Sequence, residues 1–118
     1  MNLVKYGWRY EMIIAVDFDG TLAHYDGYKG IGAYGPVIPM MKKRVEQWIK
    51  DGNTVAIFTA RLANDNQNDN HQEWVAIRKW LKANGLPALE ITATKHKKFT
   101  EFWDDRAIGV VRNTGRVR

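Results

Sequence analysis

Two aspartates two residues apart, Asp17 and Asp19, follow the apolar run Ile13-Ile14-Ala15-Val16 in the stretch MIIAVDFDGT. A short continuous apolar run is the pattern of a strand buried on both faces. Side chains alternate along a strand, so both carboxylates would leave the backbone on one side and converge at its C-terminal end. Open α/β sheets place their ligand sites there. Converging carboxylates offer hard oxygen ligands to a divalent cation, a nucleophile or an acid–base group. An acidic pair can also just begin a solvated turn, so its meaning depends on partners elsewhere. Three groups qualify: Thr59 in FTAR, a lysine among Lys95, Lys97 and Lys98, and the adjacent pair Asp104-Asp105 in WDDRAIGV. Each has an ordinary reading too, as strand cap, solvated basic turn or turn start. Together they sit at equivalent strand ends, which those readings do not explain.

The elements that must position these groups can be read from periodicity. After the first strand, residues 22–37 are rich in Gly and Tyr and contain the string Gly30-Ile31-Gly32-Ala33-Tyr34-Gly35. A dinucleotide fingerprint needs a strand before it and a helix opening within it; neither is present, so a flap or hairpin beside the Asp pair is expected. Pro39 suits a helix start, and Met41, Val45, Trp48 and Ile49 mark one face of a helix over 38–51. TVAIFT, ending at Thr59, reads as the second strand. The Asn/Asp tract LANDNQNDN lacks the Gly and distal Glu of an EF-hand loop and reads as a solvated loop. A second helix is expected over 70–84 with Trp74, Ile77 and Leu81 inward, stopped by Gly85 and Pro87. Residues 89–92, 99–103 and 107–111 read as third, fourth and fifth strands, and 112–118 as a frayed basic tail. Met12 would make a natural start, so 1–11 reads as an N-terminal extension or edge strand, with Leu3, Val4, Tyr6, Trp8 and Tyr10 available to pack on the body.

Alternating strands and helices argue for an α/β fold, a mostly parallel sheet flanked by helices, with strand C-termini along one edge. A chain of 118 residues suits a single domain, here 12–118. No apolar run approaches the roughly 20 residues of a membrane span, and no secretory leader is visible, so no membrane partner is expected. Zero cysteines excludes disulfides and thiolate metal sites and fits a cytoplasmic protein. The formal net charge is +5. If four of the 13 acids face a metal, nine remain against 18 Lys and Arg, and the exterior is more basic than that figure suggests. Such a body is compatible with a phosphorylated nucleic-acid end as partner, as well as with a phosphorylated small molecule.

DFDGT at 17–21, FTAR at 58–61, Lys95 in ITATK and Asp104-Asp105 resemble, in this order, the motifs of the haloacid dehalogenase superfamily of phosphohydrolases. The resemblance spans about residues 12–115. It implies a Rossmann-like three-layer sandwich with a five-stranded sheet in the order 5-4-1-2-3. The insert at 22–37 and the gap at 62–70 are too short to fold as a cap domain, so a small capless type is implied, its site open unless Tyr25, Tyr28, Tyr34 or a second subunit covers it.

The activity implied is Mg²⁺-dependent phosphomonoester hydrolysis through a phosphoaspartate. Asp17 would be nucleophile and metal ligand. Asp19 would be acid and base, with its carbonyl on the metal, and Asp104 or Asp105 would complete the metal set. Thr59, Ala60 and Lys95 would hold phosphoryl oxygens; Lys95 is preferred to Lys97 and Lys98 because it ends ITATK, nine residues before Asp104. Arg61 could contact substrate or form a structural ion pair, and Arg106 reads as structural. A receiver-like signalling domain is the alternative from another class, although there the adjacent acidic pair ends the first strand and the acceptor Asp a later one. A non-catalytic relic of the phosphatase fold is disfavoured by the intact motifs.

Overall fold

The computed structural model describes residues 4–6 and 9–118, with the side chains of 1–10 outside the described set, and with them the expected packing of Leu3, Val4, Tyr6, Trp8 and Tyr10. Strands β1 (Val4–Tyr6) and β2 (Arg9–Glu11) pair antiparallel in a sheet of their own. The main sheet holds β3 (Ile13–Val16), β4 (Thr54–Phe58), β5 (Glu90–Thr92) and β6 (Glu101–Trp103), in the spatial order β5-β4-β3-β6. Every neighbouring pair is parallel. Parallel pairing brings all four C-terminal ends to one edge, where Asp17, Thr59 and Asp104 each follow directly on a strand.

Helices α1 (Pro39–Lys50) and α2 (Gln67–Ala83) bury their apolar faces on the same side of this sheet. Ile14, Val16, Val55 and Ile57 from the strands join Val45 of α1 and Ile77 and Leu81 of α2 in one buried cluster. Crossovers β3→β4→β5 step in one direction, and right-handed connections then put both helices on one face. The opposite face carries a smaller cluster of Ala15, Ala56 and Phe99, flanked by Ile13 and Phe58. Phe58, Phe99 and Phe102 meet there at centroid distances of 5.6 to 6.2 Å. The return from β5 to β6 is the segment 93–100, without a helix, so the expected third layer is replaced by a loop.

The expected fifth strand at 107–111 does not form, and the sheet has four strands rather than the five-stranded order 5-4-1-2-3. Three residues separate Trp103 from Ala107, whereas a parallel neighbour needs a crossover of a dozen or more. The segment instead folds back on the expected frayed tail. Val110 bridges Val117, the Val111 amide donates to the Arg116 carbonyl at 2.7 Å, and the Arg118 amide to the Gly109 carbonyl at 2.7 Å.

Helix α2 begins three residues before its expected start, inside the Asn/Asp tract that reads as a loop. The Asn66 side chain accepts from the amides of Asn68 and Asp69, satisfying two of the orphan donors of the first turn. Its buried face also differs: Glu73, Ile77 and Leu81 are inward, while Trp74 is 36% exposed. Among the described residues no helix is long and apolar enough to cross a membrane. Replacing Asn66 by Ala should lower unfolding free energy by about 1 kcal/mol in urea denaturation, with an unchanged slope, and Asn66→Asp should retain most of it.

Candidate active site

The two aspartates of the DFD stretch are separated by a residue that anchors them. Phe18 is fully buried and packs edge-on against Tyr34 and Trp80, at 5.0 and 4.9 Å between centroids. With that ring pinned inward, Asp17 and Asp19 are held toward the open edge. The Asp17 amide donates to the Trp103 carbonyl at 2.9 Å, joining the ends of β3 and β6. The next two residues bring in the distant acidic pair. Gly20 has φ +82, and a Cβ there would lie 2.6 Å from Asp105 Oδ2, so conformation and close approach both call for glycine. The Thr21 hydroxyl donates to Asp105 Oδ1 at 3.2 Å and accepts from the Asp105 amide at 3.2 Å.

Asp17, Asp104 and Asp105 thus present carboxylate oxygens that all lie within 4.8 Å of one another. Burial, the hydrogen bond to Asp105 and the charge of Asp104 push the Asp17 carboxyl up to about 7. Three acids this close repel one another unless a proton or cation sits among them, and an all-oxygen set is what Mg²⁺ favours. The residues present therefore fit that ion. The Asp19 carboxylate stands apart from this group.

Both oxygens of Asp19 are taken by Arg61, with Nε–Oδ2 at 2.6 Å and Nη2–Oδ1 at 3.1 Å. Arg61 follows Thr59 in the 3₁₀ turn Ala60–Leu62, which the Thr59 hydroxyl caps by accepting from the Arg61 amide at 3.2 Å. The guanidinium is nearly buried, and its Nη1 donates to Glu73 Oε1 and to the Gly30 carbonyl, both at 3.3 Å. The Tyr34 hydroxyl donates to Glu73 Oε2. The guanidinium also lies over the rings of Tyr34 and Tyr28, at 4.6 and 5.1 Å from the centroids. Burial works against the charge on Arg61, but the hydrogen bonds and charges of Asp19 and then Glu73 outweigh it, and its pKa is raised. Burial and the bond to Glu73 raise that of Tyr34.

The flap closes on itself at its base. His24 donates its amide to the Pro36 carbonyl and Ile38 to the Leu22 carbonyl, each at 2.8 Å. A Cβ on Gly35 would fall 2.1 Å from the His24 carbonyl, so this neck requires glycine. Residues 22–37 thus form a necked loop, and Trp80 Nε1 pins it by donating to the Gly35 carbonyl at 3.1 Å.

A cavity of about 340 Å³ lies over this edge, with Asp17, Asp19, Asp105, Thr59, Ala60 and Arg61 in its wall. Tyr25, Tyr28 and Arg106 line its outer part. Lys95 is not among its lining residues; its ammonium lies 5.1 Å from the centroid of Phe102, on the face of the sheet away from the helices. Glu73 was not singled out by the sequence, although it stands four residues before Ile77 and eight before Leu81, a charge on the apolar stripe of α2. No family model, curated protein or solved structure matches this chain.

Two outcomes follow from these contacts. Arg61→Ala leaves Glu73 buried without its cation and should destabilise the fold by about 3–5 kcal/mol in urea titration, whereas Arg61→Met combined with Glu73→Leu should recover part of that loss. The second concerns Asp17, whose folded-state pKa of about 7 exceeds its ordinary 3.8. The unfolded chain releases that proton first, so the group's contribution to stability falls as pH rises between those values and levels off above them. Thermal melts should show Asp17→Asn gaining on the wild type across that window, and Mg²⁺ added at neutral pH should raise the wild-type midpoint more than the variant's.

Proposed function

We propose that this chain is a Mg²⁺-dependent phosphomonoester hydrolase acting through a phosphoaspartate, a small capless relative of the haloacid dehalogenase phosphohydrolases. The carrying observation is the convergence of Asp17 with Asp104 and Asp105 at the C-terminal edge of a parallel sheet, where Asp17 and Asp105 also line a cavity. Those three residues would hold Mg²⁺, which when bound offsets the repulsion between an attacking carboxylate and an anionic phosphate.

A carboxylate oxygen of Asp17 attacks phosphorus, the ester P–O bond breaks, and the leaving oxygen takes a proton from Asp19, which must first take that proton from solvent as one of its oxygens leaves Arg61. Asp19 then removes a proton from water, whose oxygen attacks the same phosphorus and frees Asp17 and inorganic phosphate. Arg61 grips Asp19 through both oxygens and so sets its orientation; one oxygen must be released from that grip to meet the leaving group. Thr59 has its hydroxyl oxygen engaged as an acceptor by the Arg61 amide, which leaves its O–H to donate to a phosphoryl oxygen. Ala60 lies beside it in the cavity wall. For Lys95 to join this cradle, its ammonium would have to leave the Phe102 ring.

Phosphate release from an aryl phosphate should require Mg²⁺, stop with a chelator, and disappear in Asp17→Asn. Asp19→Asn should lose roughly 10²–10⁴-fold, more with a poor leaving group than with an activated one. Undiminished release by Asp17→Asn would reject the nucleophile. A phosphorylated protein that accumulates without turnover would point to the receiver-like alternative.

A further inference from the structure

The outer half of the cavity is built from groups that the phosphoryl chemistry does not use. A cavity of about 340 Å³ lies at the small end of the range for small-molecule sites, and it exceeds what a phosphoryl group alone fills. Beyond Asp17 and Thr59 its wall continues into Tyr25, Tyr28, Asn64 and Arg106. Tyr25 is 44% and Tyr28 63% exposed, so both rings keep open surface at the mouth.

Tyr28 is nonetheless held. The Arg61 guanidinium lies 5.1 Å from its centroid, and Arg61 is itself fixed by Asp19, Glu73 and the Gly30 carbonyl. A buried cation held at one face of an exposed ring favours one ring orientation, which reduces the entropy lost on binding to the other face. Tyr34 does not share this role, because its ring is packed against Phe18 and its hydroxyl is spent on Glu73. The flap therefore offers two rings to the cavity mouth, with an amide and a guanidinium beside them for a polar ring edge.

We propose that Tyr25 and Tyr28 are specificity residues that stack on a nucleobase, so that the substrates are phosphomonoesters of nucleosides, free or at a strand end. The proposal rests on the phosphatase reading for its reaction, but the ring site can be tested by binding alone. The full chain carrying Asp17→Asn would be titrated, with Mg²⁺ present, with adenosine 5′-monophosphate, ribose 5-phosphate and a short 5′-phosphorylated oligonucleotide. The nucleotide should bind roughly 5- to 150-fold more tightly than ribose 5-phosphate, the range that base–aromatic stacking confers. Adding Tyr28→Leu should collapse that ratio toward one, and Tyr28→Phe should keep it, with circular dichroism confirming the fold of each. Tighter binding of the oligonucleotide than of the mononucleotide would assign strand ends as the source, and the reverse would assign free nucleotides. Equal affinity for nucleotide and ribose 5-phosphate, or a ratio that survives Tyr25→Leu together with Tyr28→Leu, overturns the ring site. Aryl phosphate hydrolysis by the wild type without any base preference would reject this inference and leave the phosphatase reading standing; base-selective binding without hydrolysis of any ester would do the opposite.

Discussion

The buried charge of Glu73 is the constraint from which much of the site's architecture follows. A carboxylate at 1% exposure on the inward face of a helix is tolerable only if it is paired and hydrogen-bonded. Arg61 provides the cation and Tyr34 the second donor. Meeting that need ties together a helix, the turn after β4 and the flap, which also meet through Leu62, Tyr34 and Trp80 at the edge of the apolar core. The same guanidinium then has Nε and Nη2 left over, and these fix Asp19. The pair therefore contributes geometry, whatever its net worth against an apolar alternative.

A second group of charges behaves in the opposite way. Asp19 and Glu73 share the single cation of Arg61, whereas Asp17, Asp104 and Asp105 face one another with no ion pair among the described residues. The two acids of DFD thus occupy different electrostatic settings although a single residue separates them. That difference would suit the separate tasks proposed for them, Asp17 as metal ligand and nucleophile and Asp19 as an acid–base group oriented by the guanidinium. Gly20 and Thr21 link the two settings, because they shape the turn and also place Asp105 beside Asp17.

The asymmetry of the sheet also bears on how open the site is. Both helices cover one face, and the other has a short loop whose Phe99 packs with Phe58 of β4 and Phe102 of β6 beside Ala15 and Ala56. Residues 22–37 make a necked loop at the cavity, with isolated bridges and no regular strand or helix. Covering of the cavity falls to that loop, with Tyr25 and Tyr28 in the cavity wall.

The sequence by itself determined the strand before Asp17, the two helices, the parallel pairing and the arrival of Asp17, Thr59 and Asp104 at one edge. These follow from local patterns: β-type apolar runs, a helical stripe with Pro39 at its start, and Gly85 at a stop. It also offered clues that pattern reading left unused. Asn66 could be heard as a cap rather than as loop, and Glu73 stands in register with Ile77 and Leu81. The fifth strand failed because strand propensity at 107–111 says nothing about the three-residue connection before it, which cannot cross over to a parallel neighbour. Only the tertiary structure decided that Arg61 pairs with Asp19 and Glu73, that Asp105 fits against Gly20, and that Lys95 rests on Phe102. Such contacts join residues 7 to 85 positions apart, and side-chain reach across that separation depends on how the elements pack, which no local spacing encodes.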